Sequence, residues 1–246
     1  MLTHPTINHL RELKLFGMIH ALESQSQIPE ALDLTFEDRL GLLVDAELSA
    51  RNNKRLQSRL KGAKLRQSAC VEDVDLKAPR GLDKSLWSSL TSLQWLVRHH
   101  NVAITGKTGA GKSFLGCALA QKACREGYTC LYARSTRLLN DLSIAKATGT
   151  YAKLLSSISK KDLIVIDDFG LTPLTDEQRR DLLEIMDDRY QKRSTIIVSQ
   201  LPTDNWYETI GDPTIADAIL DRFIHNAHKI NLKGRSIREQ NGLGNT

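Results

Sequence analysis

The sequence predicts an α/β fold: a five-stranded parallel sheet flanked by helices, preceded by a small all-helical N-terminal domain. In the second part of the chain, short β-like apolar runs alternate with longer stretches of helical periodicity. In the first part, apolar residues recur only at helical spacing. Strands that alternate with helices are typical of parallel sheets, because each parallel connection needs a crossover.

Two helices are expected in the N-terminal domain. The first is predicted around residues 7–23 from the spacing of its leucines. The second begins after Thr35, which forms a capping-box-like start with Asp38, and covers residues 36–50. The same helical spacing continues beyond residue 50 at Leu56, Leu60 and Ala63.

The two parts of the chain meet at Ala78-Pro79-Arg80-Gly81. Proline and glycine end a helix, so domains 1–78 and 79–246 are predicted. Residues 1–78 carry 11 basic and 11 acidic side chains, and the formal charge of +5 therefore lies in residues 79–246.

Five strands and five helices are expected in residues 79–246. The strands are predicted at 101–105, 128–133, 163–167, 195–199 and 228–232. The helices are predicted at 112–126, 136–147, 151–158, 176–191 and 214–226. Thr175 and Gln178 form a capping box at the start of the fourth of these helices.

The composition excludes several classes of protein. With 246 residues, of which 41% are hydrophobic and 26% charged, the chain lies in the globular range. No apolar run approaches the roughly 20 residues of a membrane helix, and the N-terminus lacks the apolar stretch of a secretory signal. We therefore expect a cytoplasmic protein without a membrane partner. The four cysteines lack the CxxC spacing of a zinc site.

A complete GxxxxGK[ST] phosphate-binding loop (P-loop) follows the first predicted strand and leads into a helix. Its residues are Gly106, Lys107, Thr108, Gly109, Ala110, Gly111, Lys112 and Ser113. Glycines let backbone N–H groups converge on phosphates, and the helix N-terminus adds partial positive charge. Lys112 is predicted to reach the β and γ phosphates and the Ser113 hydroxyl to ligate Mg²⁺. The sequence thus predicts a site for ATP and Mg²⁺.

Two adjacent carboxylates, Asp167 and Asp168, end the third predicted strand. In a P-loop ATPase the first carboxylate holds the magnesium shell, so Asp167 is assigned that role. Asp168 would orient or deprotonate the attacking water. Adjacent buried carboxylates repel each other and lose solvation, and a bound cation offsets this cost.

With both motifs in place, the chain resembles the AAA+ ATPases of the DnaC/IstB branch, and within it the IstB-like helpers of insertion-sequence transposition. The resemblance covers nearly the whole chain. It is carried by the order and spacing of LTFEDRLGLLVDAE with its basic continuation, PRGLD, NVAITGKTGAGKS, LIVIDDFG, VSQLP, LDRFIHNAHKI and GRSIR.

The resemblance implies an ATPase with a P-loop AAA+ core and little or no helical lid. It implies a homo-oligomer that assembles on duplex DNA with little sequence preference and recruits or activates a cognate transposase. Gln200 matches a polar sensor residue between the acidic pair and the γ-phosphate. Arg222 matches an arginine finger that reaches the nucleotide of the neighbouring subunit. A strand cap for Gln200, and pairing of Arg222 with Asp217 or Asp221, are the simpler alternatives.

Two departures from the family pattern have consequences. Many relatives have Asp-Glu where this chain has Asp167-Asp168, so the second carboxylate is one methylene shorter, and slow hydrolysis regulated by DNA or a partner is expected. Relatives also tend to have Gly-Glu-Ser before the last arginine, whereas this chain has Gly-Arg-Ser, which leaves open whether Arg238 senses nucleotide.

A basic segment follows the acidic part of the second predicted helix. Residues 51–66 hold seven basic side chains and no acidic one. A helix of this kind binds phosphates without reading sequence, and packing against a neighbouring subunit is the alternative. The candidate DNA contacts are Arg51, Lys54, Arg55, Arg59, Lys61 and Arg66.

Three other functions share these motifs. A replicative helicase loader of the DnaC type would use the same core but prefer single strands and a helicase partner. A small-molecule kinase would need an arginine-rich lid and an acceptor pocket, for which the sequence offers no residues. A nucleotide-dependent scaffold with negligible turnover remains open because of the shorter Asp168.

Overall fold

The computed structural model describes residues 5–28 and 33–233. The chain divides into two compact units, Met1–Ser58 and Arg59–Thr246. This division lies earlier in the chain than the domain boundary predicted after residue 78. The boundary at residue 78 stays a prediction.

The N-terminal unit is helical, as predicted. It contains α1 (Pro5–Glu12), α2 (Phe16–Gln25) and the first part of α3 (Phe36–Ala63). Thr35 caps α3 as expected: its Oγ1 accepts a hydrogen bond from the Asp38 backbone N–H at 3.2 Å and donates to Asp38 Oδ2 at 2.8 Å. The helix predicted at 36–50 therefore starts at its predicted residue and continues to Ala63.

The single helix predicted around residues 7–23 is wrong, because the chain breaks between α1 and α2. Lys14 adopts a left-handed conformation there (φ +58°). The backbone N–H groups at the start of α2 are satisfied by Glu47 of α3. Its Oε2 accepts hydrogen bonds from Gly17 N at 2.7 Å and from Met18 N at 3.2 Å. Gly17 permits this approach, since a Cβ there would lie 2.7 Å from the Ala46 carbonyl oxygen. A helix start that is capped by a residue far away in the chain has no signature in the local sequence, so the start of α2 could not be predicted.

The second unit contains the predicted α/β fold. Its strands are β1 (Asn101–Gly106), β2 (Cys130–Arg134), β3 (Leu163–Phe169), β4 (Ser194–Ser199) and β5 (Ala227–Leu232). Its helices are α4 (Lys84–Thr91), α5 (Gln94–Val97), α6 (Lys112–Arg125), α7 (Ser135–Ala147), α8 (Tyr151–Ser159), α9 (Asp176–Arg189), α10 (Trp206–Ile210) and α11 (Pro213–Ile224). Short 3₁₀ turns lie at Val71–Asp73 and Thr203–Asn205. The sequence did not predict α4, α5 and α10.

The five strands form one parallel sheet in the order β2-β3-β4-β1-β5. All strands therefore end at the same edge of the sheet, where ligands of open α/β folds bind. The P-loop follows β1, the acidic pair ends β3, and Gln200 follows β4. The fold thus brings three segments that are distant in sequence to one edge.

Asn101 fixes the opposite end of β1. Its Nδ2 donates to Phe223 O at 3.1 Å and to Asn226 Oδ1 at 2.9 Å. Its Oδ1 accepts a hydrogen bond from Thr195 N at 2.9 Å. One buried side chain therefore joins the start of β1 to the end of α11 and to β4.

No helix within residues 5–28 and 33–233 has both the length and the apolar composition required to span a membrane.

Candidate nucleotide-binding site

The P-loop has the backbone conformation that its glycines allow. Gly106, Gly109 and Gly111 all have positive φ angles, of +143°, +81° and +91°. Gly106 is also crowded, because a Cβ there would lie 2.4 Å from the Leu232 carbonyl oxygen of β5. Gly111 is the N-cap residue of α6. Glycine is therefore required at Gly106 both for its dihedral angle and for its contact with the neighbouring strand.

Lys112 and Ser113 lie in the first turn of α6, and the N–H groups at a helix N-terminus favour anions. The Lys112 side chain is mostly buried, and its Nζ donates to the Lys107 carbonyl oxygen at 2.9 Å. Gly116 lets α6 pack closely on the sheet, since a Cβ there would lie 3.3 Å from Val165 and Val198. This packing holds the helix N-terminus near the ends of β3 and β4.

A β-bulge presents the acidic pair. The pairing of β3 with β4 is regular up to Ile166 and resumes at Phe169, so two residues of β3 stand opposite one residue of β4. Asp167 is buried, whereas Asp168 is in the left-handed region (φ +59°) with a side chain 27% exposed. The bulge therefore directs the two carboxylates into different environments.

Each oxygen of the buried Asp167 carboxylate accepts a hydrogen bond. Oδ1 accepts one from Asp168 N at 2.8 Å, and Oδ2 accepts one from the Tyr132 hydroxyl of β2. Burial, together with the Asp167 hydrogen bond and charge, raises the pKa of Tyr132 above its usual value. The hydroxyl therefore remains a donor at neutral pH.

Two arginines neutralise the acidic pair. Arg66 Nη1 lies 3.6 Å from Asp167 Oδ2 and 3.9 Å from Asp168 Oδ2. Arg134 Nε, at the end of β2, lies 3.6 Å from Asp168 Oδ2. Their positive charge offsets the repulsion between the two carboxylates.

Gln200 lies against the P-loop. The Thr108 hydroxyl donates to Gln200 Oε1 at 2.7 Å. Ser199 shapes the turn that carries Gln200, because its Oγ donates to Phe169 O at 2.7 Å and accepts from Leu201 N at 3.0 Å. Ser199 and Gln200 together thus join the P-loop to the strand that carries the acidic pair.

Arg222 makes its contacts away from these residues. Its guanidinium pairs with Asp187 of α9, and its Nη1 donates to Ala218 O at 2.8 Å. The partner is neither Asp217 nor Asp221, which the simpler alternative named. The role of Arg222 as an arginine finger stays a prediction about a neighbouring subunit.

The six candidate DNA contacts fall into two groups. Three have partners within the chain: Arg51 pairs with Glu47 at 2.7 Å, Arg59 Nε donates to Cys124 O at 2.8 Å, and Arg66 faces the acidic pair. Lys54, Arg55 and Lys61 are exposed. Arg238 and the Gly-Arg-Ser segment lie outside the described residues.

The donors at the site fit Mg²⁺ bound together with a nucleotide. Ser113 and Asp167 offer a hydroxyl and a carboxylate oxygen, the hard ligands that Mg²⁺ prefers. In the part of the chain that the structure describes, no group of three or more His, Cys, Asp or Glu side chains could hold a metal. A magnesium ion that takes most of its ligands from phosphate and water does not need such a group.

Sequence reasoning missed Tyr132, Arg134 and Asp187. Tyr132 and Arg134 reach the acidic pair because β2 lies beside β3, and Arg134 is in register with Asp167. A known strand order would have pointed to both residues, but the sequence does not supply that order. Asp187 becomes the partner of Arg222 because α9 packs against α11.

Comparison with known proteins identifies the family. The model of the IstB-like ATP-binding proteins matches residues 8–244. An insertion sequence ATP-binding protein of Sinorhizobium fredii is 48% identical over 238 residues, which cover 97% of each chain.

Solved structures show the same fold. The DnaI structure superposes with a TM-score of 0.57 at 20% identity and covers 69% of this chain and 92% of its own. The DnaC helicase loader has a TM-score of 0.54 at 17% identity and covers 67% of this chain and 97% of its own. The parallel sheet and its flanking helices therefore have the fold of these two proteins. With a family model and a close relative that each span nearly its whole length, the chain belongs to the IstB-like ATP-binding proteins of insertion sequences.

Proposed function

We propose that this protein is an ATPase that oligomerises on duplex DNA with little sequence preference and recruits or activates a transposase. The observation that carries the proposal is the meeting of the P-loop, the bulged acidic pair and Gln200 at one edge of the sheet. Membership of an insertion-sequence ATP-binding family supports the link to transposition.

The proposed chemistry assigns one task to each of these side chains. Lys112 and the N–H groups of the P-loop bind the phosphates. Ser113 and Asp167 would hold Mg²⁺, which supplies positive charge to the β and γ phosphate oxygens. Asp168 orients or deprotonates the attacking water, and Gln200 contacts the γ-phosphate from its position beside Thr108.

Slow hydrolysis is expected because Asp168 is already ion-paired. Its carboxylate is paired with Arg66 and Arg134, and a carboxylate held in two ion pairs has to leave them before it can contact the attacking water. Activation would require a rearrangement of these pairs together with the arrival of Arg222 from a neighbouring subunit. An arginine finger contributes by stabilising negative charge in the transition state.

DNA binding is assigned to the exposed cations Lys54, Arg55 and Lys61. Their positive charge suits contacts with phosphate, which do not depend on base sequence. Replacement of all three residues by glutamate is expected to weaken binding and to reduce the dependence of affinity on salt. A triple Gln variant is the control that removes the positive charge without adding repulsion.

The proposal is tested by binding to a random-sequence fluorescent duplex, with unlabelled single strand as competitor. The measurement is made at fixed salt, with and without a non-hydrolysable ATP analogue, and complex size is followed by light scattering. We expect nucleotide-dependent preference for duplex in a large complex, and loss of both in Lys112→Ala. Preference for single strands would favour a helicase loader, and no binding to either would contradict a DNA-dependent role.

A further inference from the structure

Arg66 occupies a position that its place in the sequence does not suggest. It belongs to the basic run 51–66, yet its guanidinium faces both carboxylates of the acidic pair, at 3.6 Å from Asp167 and 3.9 Å from Asp168. The Arg66 side chain is 32% exposed, whereas that of Asp167 is 1% exposed. A partly exposed cation therefore covers a buried carboxylate.

The backbone around Arg66 is fixed on both sides. Ala63, the last residue of α3, and Ala69 are both buried, and Lys64 turns the chain with a left-handed conformation (φ +51°). Arg59 Nε donates to Cys124 O of α6 at 2.8 Å. The segment 63–69 is thus held between buried alanines, with Arg66 directed at the carboxylates.

The Asp167 carboxylate has two uses. Asp167 Oδ1 accepts a hydrogen bond from Asp168 N. Oδ2 faces Arg66 and accepts a hydrogen bond from the Tyr132 hydroxyl. The proposed magnesium shell also needs Asp167. A divalent cation and a guanidinium at one buried carboxylate repel each other strongly, because the surroundings screen charge poorly. The two cations therefore compete.

We propose that Arg66 is an internal cation that neutralises the acidic pair in the nucleotide-free protein and that Mg²⁺-nucleotide displaces it. Displacement would release segment 63–69, which directly follows α3. The nucleotide state is then transmitted to the C-terminal end of α3. This inference rests on the proposed function, because it requires Mg²⁺-dependent nucleotide binding at Asp167.

The first experiment measures the Mg²⁺ concentration needed for half-maximal binding of a fluorescent, non-hydrolysable ATP analogue. Removal of the competing cation in Arg66→Ala is expected to lower this concentration about two- to fivefold, as expected for a partly exposed ion pair. Arg66→Gln should behave in the same way, and Arg66→Lys should stay near the wild type. Arg137→Ala, which removes an exposed cation from α7, is the matched control and should leave the Mg²⁺ requirement unchanged.

The second experiment uses the wild-type chain and so does not depend on the folding of a variant. Amide hydrogen exchange is measured over residues 62–70 with the analogue plus Mg²⁺ and with the analogue plus a chelator. We expect faster exchange in this segment only when Mg²⁺ is present, because release opens its backbone.

The outcomes separate the two proposals. An unchanged or increased Mg²⁺ requirement in both Arg66→Ala and Arg66→Gln, or slower exchange of residues 62–70 with Mg²⁺, would overturn the role of Arg66 while leaving the nucleotide site intact. Absence of Mg²⁺-dependent nucleotide binding in the wild-type protein would overturn the proposed function, and this inference with it.

Discussion

Lys112 illustrates how much of the site depends on a single side chain placed by its backbone. Its Nζ donates a hydrogen bond to the Lys107 carbonyl oxygen, so the ammonium group is held at the P-loop before any phosphate binds. A positive charge held in place binds phosphate at a smaller entropic cost than a mobile one.

Lys112→Ala is therefore expected to weaken ATP binding at least about tenfold, because hydrogen bonds to charged groups contribute roughly 1.5–3 kcal/mol. Lys153→Ala is the matched control, since it removes an exposed lysine of α8 that lies outside the P-loop. Isothermal titration with ATP measures both affinities. Equal losses in the two variants would contradict the assignment of Lys112.

The sequence predicted the residues that belong to motifs and missed those brought in by tertiary structure. The P-loop, Asp167 and Asp168 could be named because they follow directly on predicted strands, and Gln200 because it matches the pattern of the family that the chain resembles. Tyr132 could not, since nothing in an apolar strand indicates that its hydroxyl meets a carboxylate of the neighbouring strand. The chemical roles of the predicted residues stay predictions until nucleotide binding is measured.

At the scale of elements, the five strands and the five helices predicted in residues 79–246 were correct to within two residues at each end. The missed helices α4, α5 and α10 have 8, 4 and 5 residues, too few to show a helical period. They form because Trp87, Trp95 and Trp206 are buried against the rest of the unit. Tertiary burial, which local sequence does not reveal, decides their conformation.

The junction between β1 and the P-loop depends on Gly106. Gly106→Ala is expected to lower the free energy of unfolding by about 2 kcal/mol or more, because the added Cβ meets the Leu232 carbonyl and the positive φ angle is strained. Gly62→Ala is the control: its Cβ would meet nothing within 4 Å, and alanine in an exposed helix should stabilise by about 0.5–1 kcal/mol. Urea denaturation measures both changes, and equal stabilities would contradict the crowding at Gly106.

The pairing of β1 with β5 brings two histidines together, with His100 Nδ1 3.4 Å from His228 Nε2. Burial and the charge of His100 lower the pKa of His228 below its usual value. The unfolded chain then binds a proton near pH 6.5 that the folded chain binds only at lower pH. Protonation of His228 therefore favours the unfolded chain. The free energy of unfolding keeps its full value above about pH 6.5 and decreases as the pH falls below it.

Thermal unfolding at pH 7.5 and pH 5.5 tests this dependence. The decrease in Tm on acidification should be smaller in His228→Gln than in the wild type, because the glutamine side chain does not take up a proton in this pH range. His9→Gln, which replaces an exposed histidine of α1, should behave like the wild type. An equal decrease in all three proteins would show that His228 does not contribute.

At the scale of the whole molecule, the proposed active site is divided between two subunits. Arg222 pairs with Asp187 in its own chain and would have to leave that carboxylate to reach the neighbouring nucleotide. We expect Lys112→Ala and Arg222→Ala each to lose ATP hydrolysis, and Arg222→Ala to keep ATP binding.

A mixture of the two variants should recover part of the activity, because a Lys112→Ala subunit can still offer its arginine to an Arg222→Ala neighbour. Phosphate release in the presence of duplex DNA measures the recovery. The double variant mixed with wild type in the same ratio controls for dilution of active subunits. Hydrolysis that persists in Arg222→Ala alone would contradict the finger.

Asn101 links these two halves of the site. Its amide holds the carbonyl of Phe223, the residue directly after Arg222, to the start of the strand that ends in the P-loop. In the proposed oligomer, a pull on Arg222 by the nucleotide of one subunit would therefore pass along β1 to the phosphate loop of the next, without crossing a flexible connection. Subunits coupled in this way would fill in succession along the assembly, and ATP saturation would be sigmoidal rather than hyperbolic.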